Sequence, residues 1–173
     1  MGEPRMQLLP VEKMPPKTQQ MIQGDGPTNS LNINKMIAHA ETCVRHYMRL
    51  GSALLSQLQL DAGLRELAIL RVATLCASDY ERLQHEKIAR TVGVGEEKIK
   101  QVRVGRSEVC FSDLEQLVLQ YTDEVTNQVK STDVTFNRLK AHFSDREIAE
   151  LTLVIGFYNM VARFLENTEV QME

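Results

Sequence analysis

The sequence predicts an all-α protein: a compact bundle of about six to seven helices that follows an N-terminal arm. Apolar residues recur at three- and four-residue spacing, no alternating β-run bounded by turns occurs, and all five prolines lie within the first 27 residues. Ser-x-x-Glu sequences at residues 78–81, 112–115 and 144–147 each precede an apolar periodic run, as capping boxes do at helix starts. We therefore expect residues 31–173 to form one helical domain.

Length and charge narrow the class of protein further. The chain has 173 residues, 43% of them hydrophobic, and a formal net charge of −3 without a basic cluster, which disfavours binding to nucleic acid. The longest apolar stretches, residues 64–77 and 151–165, contain charged or polar residues and fall short of the roughly 20 clean residues that a membrane span needs. We expect no membrane partner and a cytoplasmic location.

Cysteine content and apolar surface predict reduced thiols and self-association. Three cysteines form an odd set without a C-x-x-C motif, so neither a disulfide framework nor a redox pair follows from their spacing. The helices carry more apolar faces than a lone chain of this size can cover, which favours a symmetric homo-oligomer.

The first two elements are an arm and a long helix. Residues 1–30 contain every proline, and Gly24-Asp25-Gly26-Pro27 is typical of a loop, so we interpret this segment as the arm. From residue 33 to residue 57 a single apolar stripe continues, and it predicts one amphipathic helix.

The remaining helices follow from their start and stop signals. Asp61 precedes a run that is apolar on more than one face and so predicts a buried helix; the next helix runs from the box at residue 78 to about Gly93. A short helix opens at Gly95. Three more helices are predicted after it. The first begins at Ser112, the second is short and covers residues 135–143, and the third extends from Ser144 to about residue 167.

A candidate proton-transfer site lies in the two consecutive helices at residues 64–91. The buried helix carries Glu66, and the next helix places Glu81 and His85 four residues apart, on one face. If the two helices fold back on each other, these groups meet in an apolar pocket and can move a proton. Structural roles remain open: Glu81 as the partner of Ser78 in the capping box, His85 as an ordinary histidine, and Glu66 in a salt bridge to Arg65.

Two further groups of residues deserve a functional hypothesis. His39, Cys43 and His46 have a spacing that places zinc-ligand types on one helix face, although a mixed polar contact between helices is the favoured interpretation and no metal is expected. Arg163 lies in an apolar segment of the last helix, where it could bind a substrate carboxylate or form a structural ion pair.

Several of these motifs together resemble a known family. Residues 64–73, then Tyr80-Glu81 with His85, then Gly93-Val94, are similar to the carboxymuconolactone decarboxylase family, which also includes alkylhydroperoxidase D-type proteins. Residues 155–165 resemble the closing helix of that family, and the resemblance covers roughly residues 31–170. It implies an all-helical fold that assembles into homotrimers or homohexamers.

The resemblance also separates two activities. Its peroxidase branch uses a Glu, a C-x-x-C and a His; Glu66 and His85 match the outer positions, but Ser78 and Glu81 stand at the two cysteine positions and Cys76 lies two residues too early. Serine and glutamate cannot form a disulfide, so alkylhydroperoxidase activity is disfavoured. The decarboxylase branch, which lacks the C-x-x-C, matches better and implies removal of CO₂ from a small carboxylated lactone in aromatic catabolism.

The roles of the residues follow from this resemblance. His85 is expected to donate or shuttle a proton, Glu66 to orient His85, and Glu81 to act as a second acid/base or a pocket wall. The residues expected to bind the substrate are Ser78, Tyr80, Arg71 and Arg163. Since the lactone and alkene of the substrate can take up the electron pair, neither a metal nor an organic cofactor is implied. A non-catalytic oligomeric helical protein is the remaining alternative.

Overall fold

The computed structural model describes residues 4–24, 30–106 and 109–173, and within these ranges all regular secondary structure is helical. The all-α prediction is therefore confirmed. In this described part of the chain, a 3-10 helix at Val11–Lys13 precedes nine α-helices: α1 (Pro16–Ile22), α2 (Asn32–Ile37), α3 (Glu41–Ser56), α4 (Ala62–Leu75), α5 (Asp79–Thr91), α6 (Glu96–Gln101), α7 (Asp113–Gln128), α8 (Asp133–His142) and α9 (Asp145–Thr168).

The chain divides into two compact units, one made of Met1–Gln57 with Phe164–Glu173 and the other of Leu58–Arg163. We call the second the central unit; it contains every predicted site residue. The predicted arm boundary at residue 30 stays a prediction, although the described part of that segment forms the 3-10 helix and α1. In the predicted loop motif at residues 24–27, the residues after Gly24 lie outside the described part of the chain.

The predicted long helix at residues 33–57 is wrong in one respect, because it is two helices. Ala40 has φ −88° and ψ 69°, outside the helical region, and α3 begins only after it. The amide of Ala40 donates to the carbonyl oxygen of Ile37 at 2.8 Å, which closes a tight turn between α2 and α3. With α1, this break accounts for nine α-helices where six to seven are predicted.

Helix α4 is the centre of the central unit. Its N-cap is Asp61, whose side chain accepts the amide of Leu64 at 2.9 Å, and its buried residues lie on all faces, as predicted. It packs against α5 and α7. The core cluster around it consists of Leu67, Leu70, Ala89, Ile99, Val102, Phe111 and Leu119.

A tight turn reverses the chain between α4 and α5. Ala77 has φ 53°, the amide of Ser78 donates to the carbonyl oxygen of Ala73 at 2.8 Å, and the amide of Ala77 donates to that of Thr74 at 3.1 Å. These two bonds form a Schellman motif, which normally has glycine at the left-handed position. Helix α5 ends in the same way, with Gly93 at φ 90°. The fold-back on which the candidate site depends is therefore present.

Two of the three predicted capping boxes form. Ser112 and Glu115 exchange bonds at the start of α7, and Ser144 and Glu147 do so at the start of α9. The predicted box at residues 78–81 is wrong: Ser78 is the N-cap of α5, but its hydroxyl makes no capping bond. Its backbone amide, which a box would give to the glutamate, is already bonded to Ala73.

Helix α9 is long and apolar enough, by length and composition, to cross a bilayer, but more than half of its most apolar 18-residue window is buried inside the protein. Burial of this kind is typical of the core helix of a soluble domain.

Candidate functional site

The central feature of the candidate site is a short contact between Glu66 and His85. Oε2 of Glu66 on α4 lies 2.7 Å from Nδ1 of His85 on α5, although 19 residues separate the two in sequence. The side chain of Glu66 is fully buried and that of His85 is 8% exposed. The exposed part of this pair therefore belongs to the histidine.

Arg65 binds the other oxygen of the same carboxylate. Its Nε donates to Oε1 of Glu66 at 2.8 Å, and its side chain is 6% exposed. Adjacent residues on a helix do not face each other, so the arginine side chain has to bend back along the helix to make this bond. Glu66 thus bridges a cation and an imidazole, one on each oxygen. The salt bridge to Arg65 that was considered as a structural role of Glu66 is therefore formed, and the catalytic role of Glu66 stays a prediction.

Tyr158 completes the surroundings of the imidazole. Its ring meets the ring of His85 edge to face, with centroids 4.7 Å apart and planes inclined by 84°, and it contacts Phe157 in the same manner at 5.3 Å. Such contacts restrain the orientation of both rings. Sequence spacing alone gives no link between Tyr158 and His85, because they lie on different helices.

The other α5 residues of the predicted site are buried. Glu81 is 2% exposed and lies one turn before His85 on the same helix face, so α5 presents a second carboxylate beside the imidazole. Ser78 is 1% exposed, at the start of α5. Tyr80 is buried as well, but it is five positions from His85 and therefore lies on a different face of α5.

The two predicted carboxylate-binding arginines differ in their contacts. Arg71 forms a bidentate ion pair with Asp123 of α7 and also donates to the carbonyl oxygen of Val102 at 3.1 Å. These bonds satisfy its guanidinium within the protein and indicate a structural role. Arg163 is exposed; its Nη1 donates to Oδ1 of Asn159 at 2.6 Å and lies 3.9 Å from Sγ of Cys76.

The predicted single-face arrangement of His39, Cys43 and His46 is wrong. His39 precedes α3, in the turn after α2, and its Nε2 lies 2.9 Å from the carbonyl oxygen of Gln7. Within residues 4–24, 30–106 and 109–173, no group of three or more histidine, cysteine, aspartate or glutamate side chains is arranged to hold a metal ion.

Comparisons with known sequences show a similarity to one family. The model of the carboxymuconolactone decarboxylase family matches residues 42–124. The uncharacterized protein YnjA of Escherichia coli K12 is 33% identical over 107 residues, which represent 61% of this chain and 58% of that protein. The chain therefore spans less than two thirds of this curated relative.

Solved structures show the same fold. A protein of unknown function from Agrobacterium tumefaciens, described as a candidate antioxidant defence protein AhpD, is 26% identical, with a TM-score of 0.74 over 80% of this chain and 95% of that one. Two uncharacterized peroxidase-related proteins are more distant in sequence. The one from Ralstonia eutropha JMP134, with an alkylhydroperoxidase AhpD core, is 17% identical, with a TM-score of 0.86 over 100% and 94% of the chains. The one from Silicibacter sp. TM1040 is 18% identical, with a TM-score of 0.80 over 99% and 93%.

At 17 and 18% identity, the last two similarities establish the fold alone. The family match includes Glu66, Ser78, Glu81 and His85, and the structural similarities extend over the helices that carry them. Residues 42–124 of this chain are thus similar to the carboxymuconolactone decarboxylase family, and the fold of the chain is AhpD-like.

Proposed function

We propose that the protein is a lyase that decarboxylates a small carboxylated lactone, without a cofactor, by proton transfer through His85. The observation that carries this proposal is the 2.7 Å contact between Oε2 of Glu66 and Nδ1 of His85, with the carboxylate fully buried. A carboxylate that fixes an imidazole in a water-poor setting is a standard way to prepare a general acid or base.

The chemistry requires one electron sink and one proton. The bond between the substrate and its carboxylate breaks, CO₂ leaves, and the electron pair passes into the alkene and lactone of the substrate. A proton from Nε2 of the His85 imidazolium then adds to carbon, and His85 regains a proton from solvent. Glu66 holds the ring through the contact at Nδ1, and its carboxylate balances the charge of the imidazolium.

The remaining residues have proposed supporting roles. Glu81 is a second acid/base or a wall of the pocket, and Ser78 lines it. Tyr80 lies on a different face of α5 and is not proposed to line the pocket. Of the two arginines, Arg163 is the better candidate for the substrate carboxylate because it is exposed, whereas Arg71 is engaged by Asp123.

An alkylhydroperoxidase activity is the alternative that the names of the structural relatives raise. It requires a reactive dithiol, and the positions expected to hold one are Ser78 and Glu81. Burial raises the pKa of the Cys110 thiol, and the neighbouring carboxylates of Glu97 and Glu115 raise it further against the opposing effect of Lys98. Because the thiolate is the nucleophile, this surrounding disfavours peroxide attack by Cys110.

We further propose that the protein works as a homotrimer or homohexamer in the cytoplasm. Leu153 and Met160 of α9 are 56% and 49% exposed, and self-association would cover such residues. None of Cys43, Cys76 and Cys110 forms a disulfide, in agreement with a reducing compartment. Light scattering coupled to size-exclusion chromatography tests the assembly; a monomer at micromolar concentration would contradict it.

The proposed reaction is tested with 4-carboxymuconolactone as substrate. We expect the purified protein to release one CO₂ for each lactone consumed, in buffer treated with a chelator and without added cofactor. A hydroperoxide substrate with a dithiol reductant serves as the comparison. Consumption of the peroxide without decarboxylation of the lactone would favour the alternative.

A further inference from the structure

The buried carboxylate of Glu66 has two oxygens with different partners. Oε1 accepts from Nε of Arg65 at 2.8 Å, and Oε2 lies 2.7 Å from Nδ1 of His85. The side chains are 6, 0 and 8% exposed for Arg65, Glu66 and His85, so water does not compete for these bonds. The three residues form a linear relay, from a permanent cation through a carboxylate to an imidazole.

Arg65 determines where the proton lies between Glu66 and His85. The guanidinium of arginine has donors but no acceptor, so it can bond Oε1 only as a donor. Arg65 and Glu66 therefore form an ion pair, in which the glutamate is a carboxylate. An ionised carboxylate only accepts, so the contact with Oε2 requires a proton on Nδ1 of His85.

We propose that Arg65 is a positioning residue that sets the tautomer of His85. By occupying Oε1 of Glu66, Arg65 keeps Oε2 as an acceptor, holds the proton of neutral His85 on Nδ1 and leaves Nε2 as the basic nitrogen. This inference rests on the proposed function only in taking Nε2 as the atom that meets substrate; the tautomer itself is a property of the resting protein.

Other groups near the imidazole do not take the place of Glu66 at Nδ1 of His85. Glu81 of α5 is a second buried carboxylate on the same helix face as His85. Tyr158 of α9 contacts the face or edge of the ring through its own ring. Neither of these contacts is the 2.7 Å bond at Nδ1, which belongs to Glu66.

The test is a nitrogen-15 NMR spectrum of histidine-labelled protein, recorded without substrate at alkaline pH. In the wild-type protein we expect the proton on Nδ1 and an unprotonated Nε2. In Glu66→Gln, Arg65 binds the amide oxygen, so the amide NH₂ faces His85 and donates to Nδ1. The proton of His85 therefore moves to Nε2. The exposed residues His46 and His142 are internal controls whose signals stay unchanged.

A second variant attributes the effect to Arg65. In the double variant Arg65→Met/Glu66→Gln, nothing orients the amide, and His85 returns at least partly to the Nδ1-protonated tautomer. Arg65→Lys keeps a cation beside Glu66, and the wild-type pattern is expected to persist. All variants are compared with wild type by circular dichroism, so that a change in the fold is recognised.

Three results would overturn the proposal. They are a wild-type His85 with its proton on Nε2 throughout the pH range of the folded protein, a Glu66→Gln protein that keeps the Nδ1 proton, and a double variant identical to Glu66→Gln. Since no substrate is present, these results are separate from failure of the decarboxylation assay, which would contradict the proposed reaction and leave the tautomer assignment standing.

Discussion

Glu66 and His85 lie 2.7 Å apart because Ala77 adopts a left-handed conformation, with φ 53°, between the helices that carry them. On one continuous helix, 19 residues would separate the two groups by about 28 Å. The reversal at Ala77 therefore converts a distant pair into a hydrogen-bonded one, and the bond to Arg65 gives it an ionic partner. The predictions below test this pair, the turn that forms it and the surroundings that hold it.

Replacing Glu66 by glutamine should reduce kcat/KM for the decarboxylation by roughly a hundred- to ten-thousand-fold, the usual contribution of general acid–base catalysis. The amide keeps the volume of the side chain but cannot hold a charged imidazole. Steady-state kinetics measure the effect, and Glu166→Gln, an exposed change on α9, is the matched control with wild-type activity. A Glu66→Gln protein as active as this control would exclude a role for the carboxylate in turnover.

Glycine at position 77 should stabilise the protein. Ala77 is exposed, so its methyl group adds little packing, and a left-handed alanine costs about 1–2 kcal/mol. Glycine relieves this cost but loses roughly 0.5–1 kcal/mol of chain entropy on folding, which leaves a gain of about 0.5–1 kcal/mol.

Chemical unfolding measures this change, and Ala149→Gly provides the control of opposite sign. Ala149 is exposed within α9, where glycine should lower the free energy of unfolding by about 1 kcal/mol. Equal losses in Ala77→Gly and Ala149→Gly would show that the turn does not strain residue 77.

Glu150 should make stability depend on acidity. Burial on its own would raise its pKa, but hydrogen bonds from Arg146 and from the backbone amides of Leu60 and Gln59 outweigh burial and lower the pKa. A lowered pKa in the folded state adds stability that is complete above the ordinary glutamate pKa of about 4.3 and is lost as the pH falls through the lowered value.

We therefore expect Glu150→Gln to destabilise the protein at neutral pH by about 1–3 kcal/mol, through the loss of a buried charged acceptor. The difference from wild type should shrink as the pH falls below 4, and unfolding curves across this range measure it. A difference that stays constant with pH would contradict the assigned pKa direction.

Peroxide treatment should leave the cysteines unpaired. With serine and glutamate at positions 78 and 81, no dithiol is expected to be consumed, and thiol titration after denaturation should still find three thiols. Mass spectrometry of the untreated protein is the control. Loss of two thiols in step with peroxide consumption would revive the peroxidase alternative through another cysteine pair.

The sequence predicts the central unit well where local signals and tertiary contacts agree. Asp61, Ser112 and Ser144 each mark a helix start, and each forms its expected capping bonds. The pairing of Glu66 with His85 follows from a buried helix, a turn signal and a resemblance. This prediction assumes only that the chain reverses between the two helices, and the exact geometry of the turn is not required.

Other features depend on contacts that no local pattern encodes. The expected capping box at Ser78 does not form because the backbone amide of Ser78 donates to the carbonyl oxygen of Ala73. This bond closes the end of the preceding helix. The sequence offers Arg65 as one salt-bridge partner of Glu66, but it does not show that the same carboxylate also contacts His85. No proline or glycine stands at the break at Ala40, and the apolar stripe continues through it. The sequence therefore gives no signal that α2 ends there.

The most direct test of the account compares wild-type protein with His85→Ala in release of CO₂ from 4-carboxymuconolactone. His142→Ala, a change at an exposed histidine on α8, is the control for the loss of an imidazole. We predict turnover by the wild type and by His142→Ala, and loss of turnover in a His85→Ala protein of unchanged helicity and assembly. Turnover by His85→Ala at the wild-type rate, or none by the wild type, would contradict the proposed reaction.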